Sequence, residues 1–488
     1  MGSLSHGALT AVSMVVVSGV AAAIGVVIAR EFGRTAETDG LLAAYGLFVV
    51  IAIGAQAIRV AILPQLAVAR QEGRLAGELT GFAVALAVLA VPLLLVAELG
   101  AGQLATLLTG DGPESSRETA AEVVRWIVPA GVAHLFAGLA ASGLAAIDDY
   151  GVAALGYAAG SAAGLALVLT RVEPDGIIAI AWGMTLNGAI ALLVPAVGLA
   201  LHAARLRMPP AAVRAGEARV HSRLGTFAVG AALPLALQLL YVVCLPFASR
   251  IGTGAATTFV YAYLAGSALV TVTAGSLGLV TAAPLSRAGW DAPAAARHVI
   301  ASAWLVLALV GAAAGVFALA GGDLVGAALG DAYGGDVGSE VGRLVVALSP
   351  WMIAAVGVTV TFPLTFIARR TRRLPWIALA AVAAQAPLAW AGSELADLEG
   401  LALALAGSTL LVLGALLVEL RVLVPVLYGL LTAAGVVLLL SLAAFVPPAL
   451  VLGSLASAAA GLVVYGTLVL VLRPPGLLAS WRYLRLLS

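Results

Sequence analysis

The sequence consists largely of apolar runs of about 20 residues, separated by short polar breaks. An apolar run of this length spans the hydrocarbon core of a bilayer as an α-helix, because each residue adds about 1.5 Å. Hydrophobic residues make up 62% of the 488 and charged residues only 10%, more apolar surface than a water-soluble domain could bury. The sequence therefore predicts an all-α polytopic membrane protein.

The order of these runs predicts about fourteen transmembrane helices, six before the longest internal polar stretch and eight after it. Because six is an even number, the two groups of six begin on the same side of the membrane. We therefore expect two parallel six-helix lobes, related by an axis along the membrane normal, plus two C-terminal helices. The predicted spans are 8–29, 41–66, 77–98, 123–146, 152–170, 177–201, 226–248, 256–284, 299–320, 342–368, 375–392, 400–420, 423–445 and 450–472.

These spans predict four segments along the chain. A basic cytoplasmic linker joins the two lobes, and a short cytoplasmic tail ends the chain. The predicted segments are an N-terminal six-helix lobe at 1–201, the linker at 202–224, a C-terminal six-helix lobe at 225–420, and the two extra helices with the tail at 421–488.

An internal repeat supports the two lobes. Gly33 and Gly252 lie in similar polar corners and are 219 residues apart. Chance similarity is the alternative, since Ala, Gly and Leu dominate the sequence, but the agreement with the helix count favours a repeat. Further pairs at nearly the same separation are Ala36 with Ala255, Thr38 with Thr257, and Pro64 with Pro284.

The placement of arginine predicts the orientation, because basic residues are concentrated in cytoplasmic loops. With the N-terminus inside, 17 arginines fall in cytoplasmic breaks and 7 outside, while the acidic residues show the reverse bias, 7 inside and 17 outside. Reversing the topology would invert both biases. We therefore expect both termini to be cytoplasmic.

The sequence lacks the motifs of most catalytic and cofactor sites. It has no Gly-rich phosphate loop ending in lysine, and its five histidines form no metal-spaced cluster. The single cysteine, Cys244, excludes an intramolecular disulfide. A net charge of +1 gives no indication of nucleic-acid binding. We predict no enzymatic activity, no metal and no cofactor.

Arg59 is the informative charge within a predicted span. A centred arginine costs about 2.5–3.5 kcal/mol even on the mild insertion scale, so it normally faces protein or water. A role in a central cavity is one interpretation of Arg59. The other is that its side chain extends to the nearby cytoplasmic interface, about two turns away.

Other polar residues are weaker candidates for a substrate cavity. Arg30 and Asp39 flank the first predicted external corner, where they could contact an anionic substrate or serve as an interface anchor and a turn cap. Arg250 lies at the corresponding corner of the second half. Four uncharged side chains within spans each need a hydrogen-bond partner. These are Gln56, Asn187, Gln238 and Gln385.

Several segments together resemble a known family. In the first half they are Ala29–Gly33, Glu37–Asp39 and Ile62–Pro64. With fourteen spans and a basic loop after the sixth, the chain resembles the MviN-type lipid II flippases of the multidrug/oligosaccharidyl-lipid/polysaccharide (MOP) exporter superfamily. The matching segments of the second half are Leu233-Pro234, Gly252–Gly254, Tyr261-Ala262 and Ala283–Arg287.

The resemblance implies a flippase of the bacterial cytoplasmic membrane. Such a protein moves a polyprenyl-linked saccharide used in cell-wall synthesis from the inner to the outer leaflet by alternating access between two lobes. It implies a lipid-linked saccharide, membrane lipids and envelope-synthesis proteins as partners, and it adds Tyr261 to the candidate cavity residues. Of the family's charged positions, Arg30 and Asp39 carry over.

The family's cavity arginines, which are thought to hold the substrate pyrophosphate, do not carry over. The residues at those positions are Ser18 and Ile24 in the first span, Leu47 to Ile51 in the second, and Tyr263-Leu264 in the eighth. We therefore expect Arg59 to supply the positive charge, helped by Arg30 or Arg250.

Two alternatives remain open at this point. A cation-coupled small-molecule exporter of the same superfamily should carry a carboxylate deep in a span, and no convincing one is found in the sequence. A transport-inactive homologue that acts as a scaffold for envelope-synthesis proteins would have no need of cavity arginines.

The arginine bias predicts that reporter fusions at Arg214 and at Ser488 both report a cytoplasmic location. The measurement pairs a reporter active only in the cytoplasm with one active only outside it, at each position. An external signal at either position would contradict the topology and, with it, the count of fourteen spans.

Overall fold

A computed structural model describes residues 3–205, 217–288 and 291–487, and within these residues all regular structure is helical. The prediction of an all-α protein is therefore confirmed. The contacts divide the chain into two compact units, Met1–Gly254 and Ala255–Ser488.

The first unit contains eight described helices. They are α1 (Ser3–Phe32), α2 (Ala36–Gln71), α3 (Leu75–Leu99), α4 (Ala101–Thr109), α5 (Glu114–Ala146), α6 (Gly151–Asp175), α7 (Ile178–Arg205) and α8 (Glu217–Ile251).

The second unit also contains eight described α-helices. They are α9 (Ala255–Ala288), α10 (Ala292–Leu329), α11 (Gly335–Ala347), α12 (Ser349–Ile367), α13 (Leu374–Glu419), α14 (Leu423–Ala449), α15 (Ser454–Leu472) and α16 (Pro475–Leu487), with a 3-10 turn at Asp331–Tyr333.

The number of membrane crossings agrees with the sequence. Twelve described helices are long and apolar enough to cross a membrane. Helix α9 adds a further apolar helix, and α13 has two arms, which brings the crossings to about the predicted fourteen. The helices therefore confirm a polytopic membrane protein.

The long helix α13 joins two predicted spans, 375–392 and 400–420, across a sharp break. Ala396 and Asp397 have non-helical backbone angles, with φ of −155° and 45°. Gly392 and Gly400 lie against each other beside this break, since a Cβ on Gly400 would come within 1.9 Å of the Gly392 carbonyl oxygen. The two arms therefore form a helical hairpin, which accounts for the two spans read from the sequence.

One predicted span boundary is wrong in detail, and part of the predicted linker is helical. The predicted span 342–368 begins inside α11, and the chain breaks at Leu348 before α12 starts. Pro350 lies in the first turn of α12, a position suited to proline because its missing N–H has no intrahelical partner there. In the predicted linker, Arg223 is helical rather than in a loop, while 206–216 lie outside the described residues.

Helices α4 and α16 were not predicted, because neither is long enough to give an apolar run of membrane-spanning length. Helix α16 occupies most of the predicted tail and packs on α10. Leu477 joins a cluster with Trp304 and Leu307, and the rings of His298 and Tyr483 have centroids 6.1 Å apart. Because Trp481 on the same helix is 60% exposed, α16 has one packed face and one free face.

Helix α5 is the centre of the first unit, because it packs against α2, α3, α4 and α7. The α6–α7 crossing is especially close. A Cβ on Gly164 would come within 2.6 Å of the Gly183 carbonyl oxygen, and one on Gly160 within 2.7 Å of the Asn187 carbonyl oxygen. Small residues let helices approach closely in membranes, where packing supplies much of the association energy.

A partly buried ion pair attaches α8 to α3. The Arg223 side chain is 7% exposed and donates to Glu78 at 2.9 Å, with its guanidinium carbon 5.3 Å from the centre of the Phe82 ring. Removing one partner from such a pair leaves an uncompensated buried charge, which is strongly destabilising. The pair therefore fixes the start of α8 on the first unit.

Helix α10 is the centre of the second unit, and it packs on α11, α12, α14, α15 and α16. Phe445 and Tyr465 form a buried cluster on its neighbours, and the Tyr465 hydroxyl donates to the Ala308 carbonyl oxygen at 2.9 Å. Gly311 and Gly315 leave room for these rings, since a Cβ on Gly315 would come within 2.3 Å of Phe445.

The helix boundaries reproduce the spacing of the sequence repeat. Helix α1 ends at Phe32 and α8 at Ile251, while α2 begins at Ala36 and α9 at Ala255. Each pair of boundaries is 219 residues apart, so the repeat is expressed as two three-residue corners of equal length. Superposition of the two lobes as parallel repeats remains a prediction.

We expect Gly164→Ala to lower the free energy of unfolding by about 1–3 kcal/mol, because the added methyl group overpacks the α6–α7 crossing. The matched control is Gly77→Ala in α3, where an added Cβ would meet nothing within 4 Å. The control should be neutral or slightly stabilising, because alanine favours the helix by about 1 kcal/mol over glycine. Thermal unfolding in detergent measures both, and equal stability of the two variants would contradict close packing at this crossing.

Candidate functional site

The corner between α1 and α2 is built by local hydrogen bonds. Gly33 closes α1 with a φ of 60°, a conformation that glycine adopts at little cost. Thr35 caps α2 by accepting from the Thr38 backbone N–H at 3.3 Å. Asp39 lies one turn into α2 and is only 2% exposed.

Asp39 and Arg34 hold the second corner of the repeat. The Gly254 backbone N–H donates to the Asp39 carboxylate at 2.6 Å, and the Arg34 Nε–H donates to the Gly254 carbonyl oxygen at 3.3 Å. Gly254 has a φ of 80°, and a Cβ there would come within 2.8 Å of the Arg34 side chain. We call this pair of contacts the corner clamp.

The two arginines predicted near the corners lie on the surface. Arg30 is exposed in the last turn of α1. Arg250 pairs with Asp111 at 3.0 Å, and both side chains are largely exposed, so the pair contributes little to stability. The Arg250 guanidinium also lies 5.4 Å from the centre of the Phe247 ring.

Arg59 lies far along α2 from these corner residues. Twenty residues separate it from Asp39, a distance of about 30 Å along a helix. The Arg59 residue is half-buried. Among the described residues, no carboxylate lies within ion-pair distance of its guanidinium, in contrast to the pairs of Arg70, Arg223 and Arg250.

Four aromatic rings on α2, α5 and α6 contact one another in the first unit. The Tyr157 ring of α6 stacks on His134 of α5 with centroids 6.1 Å apart. His134 meets the edge of Phe48 at 5.6 Å, and Phe48 stacks on Tyr45 at 5.9 Å. We call these four rings the α2–α5–α6 ring cluster.

His134 is held by ring contacts rather than by hydrogen bonds. Its Nε2 atom is buried and has no hydrogen-bond partner in the described part of the chain. The imidazole stacks on the Tyr157 ring and meets the Phe48 ring edge-on, so ring contacts hold it in place.

The uncharged candidates lie on several different helices. Asn187 lies at the close α6–α7 crossing, and its Oδ1 is buried without a hydrogen-bond partner among the described residues. Gln238 in α8 is 5% exposed and Gln385 in α13 is fully buried. Tyr261 in α9 meets the edge of the Tyr333 ring at 5.2 Å. The Gln56 side chain lies outside the described residues.

The described residues contain no group of three His, Cys, Asp or Glu side chains placed to hold a metal ion. Cys244 is buried, and its thiol donates to the Leu240 carbonyl oxygen at 3.4 Å, one turn earlier in α8. The cysteine therefore occupies a packing position in this helix.

Several solved structures have a similar fold. The lipid II flippase MurJ, in an inward closed conformation, matches with a TM-score of 0.73 and 14% identity over 96% of this chain and 99% of that chain. A MOP superfamily transporter from Pyrococcus furiosus matches with a TM-score of 0.53 and 16% identity over 88% of this chain and 95% of that chain. The eukaryotic MATE transporter AtDTX14 matches with a TM-score of 0.57 and 14% identity, over 88% of this chain and 97% of that chain. No family model and no curated protein matches the sequence.

The chain has the fold of the MOP superfamily transporters. Coverage of almost the whole of both chains decides this, because a chance match of a few helices would not extend over the full length. The resemblance read from the sequence segments is thus confirmed for the fold. At identities of 14–16%, these matches establish the fold alone and do not indicate the substrate.

Sequence reasoning missed the ring cluster on α2, α5 and α6. Tyr45 and Phe48 lie on α2 at a helical spacing, but nothing in the sequence indicates that α5 and α6 bring rings to the same place. It also missed that Asp148 pairs with Arg70 at 2.6 Å. Both depend on contacts between distant parts of the chain.

The corner clamp predicts that Asp39→Ala lowers the free energy of unfolding by about 1–3 kcal/mol, because a buried N–H of Gly254 loses its acceptor. Asp39→Asn is the matched control, since its amide oxygen can still accept, and it should retain most of the stability. Thermal unfolding of the purified variants in detergent makes the comparison. If both variants are as stable as wild type but inactive, Asp39 contacts substrate instead.

Proposed function

We propose that this chain is a flippase that moves a polyprenyl-linked saccharide across the bacterial cytoplasmic membrane by alternating access. The observation that carries the proposal is Arg59, a half-buried arginine on a transmembrane helix with no carboxylate partner in the described part of the chain. The MOP fold, shared with a lipid II flippase, supplies the framework.

An arginine in this situation is suited to an anionic substrate. A charge within a span is costly, so an arginine kept there without a carboxylate indicates a function other than structural pairing. Its guanidinium presents a planar set of donors that matches phosphate oxygens in a bidentate geometry.

The mechanism follows from the two parts of such a substrate. The phosphate-linked head group needs fixed positive charge while it is away from water, since an uncompensated ion costs several kcal/mol. The polyprenyl tail is apolar and remains in the lipid beside the helices. Rocking of the two lobes would expose the head-group site first to the cytoplasm and then to the outside.

The main rival within this fold is a cation-coupled exporter of small molecules. Such a protein needs a carboxylate in the membrane that binds and releases a proton or a metal cation. Among the described residues the one buried carboxylate is Asp39, which accepts a hydrogen bond from the Gly254 backbone. Because this carboxylate already accepts a backbone hydrogen bond, the flippase is favoured over the exporter.

A second candidate function is a transport-inactive homologue that holds envelope-synthesis proteins. One observation favours it, namely that Ser18, Ile24 and Tyr263 stand where the resembling family has arginines. An assay with purified protein distinguishes it from a flippase, because a scaffold has no activity in the absence of its partners.

The decisive experiment is the complementation of a bacterial strain depleted of its own lipid II flippase. We expect the wild-type chain to restore growth and Arg59→Ala to abolish it, because this substitution removes the positive charge that the proposal assigns to the head-group site. Arg59→Lys should restore growth partially, since it keeps the charge but loses the bidentate geometry. The matched control is Arg171→Ala, which removes an exposed arginine paired with Asp175 at the end of α6.

Membrane abundance and thermal stability of each variant show whether loss of growth reflects loss of folding. Movement of a fluorescent polyprenyl-linked saccharide in proteoliposomes then tests transport directly. Growth with Arg59→Ala, at normal abundance, would contradict an anionic head-group site at Arg59. Restored growth by wild type without transport in proteoliposomes would favour the scaffold.

A further inference from the structure

A cleft of about 350 Å³ opens on the first unit between α3 and α5. Most of its lining is apolar, and two charged side chains of opposite sign contribute to it. The lining residues are Val91, Leu94, Leu95, Ala97, Glu98, Arg125 and Pro129. None of them belongs to the corner clamp or to the α2–α5–α6 ring cluster.

The apolar part of the cleft is suited to a hydrocarbon chain. Val91 and Leu95 are each 54% exposed, and they stand on a helix that is long and apolar enough to cross the membrane. On such a helix, exposed leucine and valine face lipid rather than water. A hydrocarbon chain lying in the cleft would contact both helices at once.

The charged part of the cleft is Glu98 and Arg125. Glu98 is in the last turn of α3, and Arg125 is in the outer half of α5 under the predicted topology. Both side chains are exposed, and neither forms an ion pair within the described part of the chain. A positive and a negative group are therefore both available beside the same apolar cleft.

The exposed Trp126 indicates that this end of the cleft lies at the membrane–water interface. Trp126, next to Arg125, is 42% exposed, and its ring meets the edge of Trp182 with centroids 6.2 Å apart. Tryptophan is enriched at the level of the lipid headgroups, where one side of the ring is apolar and the other wet. Glu98 and Arg125 therefore lie where the headgroup of a lipid would be.

We propose that the α3–α5 cleft binds a zwitterionic phospholipid with a primary ammonium group, such as phosphatidylethanolamine. One acyl chain lies along Val91 and Leu95, the Arg125 guanidinium binds the phosphate, and the Glu98 carboxylate accepts from the ammonium. An anionic phospholipid satisfies Arg125 but places negative charge beside Glu98. Phosphatidylcholine brings a quaternary ammonium, which has no N–H to donate, and a polyprenyl phosphate brings no ammonium at all.

This lipid site is separate from the proposed flippase activity. It uses no residue assigned to the head-group site, and it lies on a lipid-facing surface of one unit. A bound phospholipid there would join α3 to α5, the helix on which the first unit is centred.

Native mass spectrometry of the purified full-length protein in detergent tests the proposal. The probes are phosphatidylethanolamine, phosphatidylglycerol, phosphatidylcholine and undecaprenyl phosphate, each titrated separately. We expect phosphatidylethanolamine to bind wild type most tightly, and Glu98→Gln to weaken it about tenfold, to the level of phosphatidylcholine. Arg125→Ala should weaken all three phospholipids by a similar factor.

Arg171→Ala is the matched control, because it removes an exposed arginine at the same predicted level of the membrane from another helix. It should leave the affinity for every lipid unchanged. Leu95→Trp, which fills the apolar part of the cleft, should weaken every phospholipid while both charges remain. Thermal unfolding without added lipid verifies that each variant is folded.

Three results would overturn the proposal. Equal affinity of wild type and Glu98→Gln for phosphatidylethanolamine would rule out a contact between Glu98 and the ammonium group. Tighter binding of phosphatidylglycerol than phosphatidylethanolamine, lost in Arg125→Ala, would make the cleft a site for anionic lipid. Tightest binding of undecaprenyl phosphate, lost in Leu95→Trp, would assign the cleft to a polyprenyl chain.

Discussion

The structure depends on the lack of water in the hydrocarbon core, which obliges every backbone N–H and C=O to find a partner within the protein. Long helices meet this requirement along most of the chain, so the difficult places are the corners where helices end. The corner clamp is the clearest case. Gly254 takes a φ of 80°, and its N–H and C=O are both satisfied by side chains from the first corner, Asp39 and Arg34. A repeat in the sequence thus becomes a contact between its two copies.

The same constraint separates the arginines into two classes. Arg223 is buried against Glu78 and holds α8 on α3, while Arg70 binds Asp148 and the Ala146 carbonyl oxygen at the surface. Arg59 is half-buried, and no carboxylate lies within ion-pair distance of it among the described residues. An unbalanced charge of this kind destabilises the folded protein unless it is satisfied by something that comes and goes. A phosphate-linked substrate would satisfy it during each transport cycle, which is why the proposed function rests on this residue.

Helix positions were predictable because membrane-spanning length and glycine-rich corners are local properties of the sequence. The corner ends at Phe32 and Ile251, 219 residues apart, follow directly from the repeat. The contacts were not predictable. Nothing local indicates that Gly392 lies against Gly400, that α16 packs on Trp304, or that Tyr157 stacks on His134. The candidate site was the least predictable part. The sequence made both Asp39 and Arg59 candidate cavity residues. Asp39 accepts a backbone hydrogen bond, while Arg59 has no ionic partner among the described residues.

A fold shared at 14% identity can persist while the substrate changes, because the two depend on different residues. Helix packing here depends on small residues such as Gly164 and Gly183, whose requirement is steric and tolerates almost any neighbour that leaves space. Substrate recognition depends on a few charges, and a single arginine moved to another helix can supply the same positive potential from a new direction. The replacement of the family's arginines by Ser18, Ile24 and Tyr263 is then compatible with transport of an anion, provided that one unpaired guanidinium remains in the membrane. Arg59 meets that condition among the described residues, so under the proposed function the substrate class depends on this side chain.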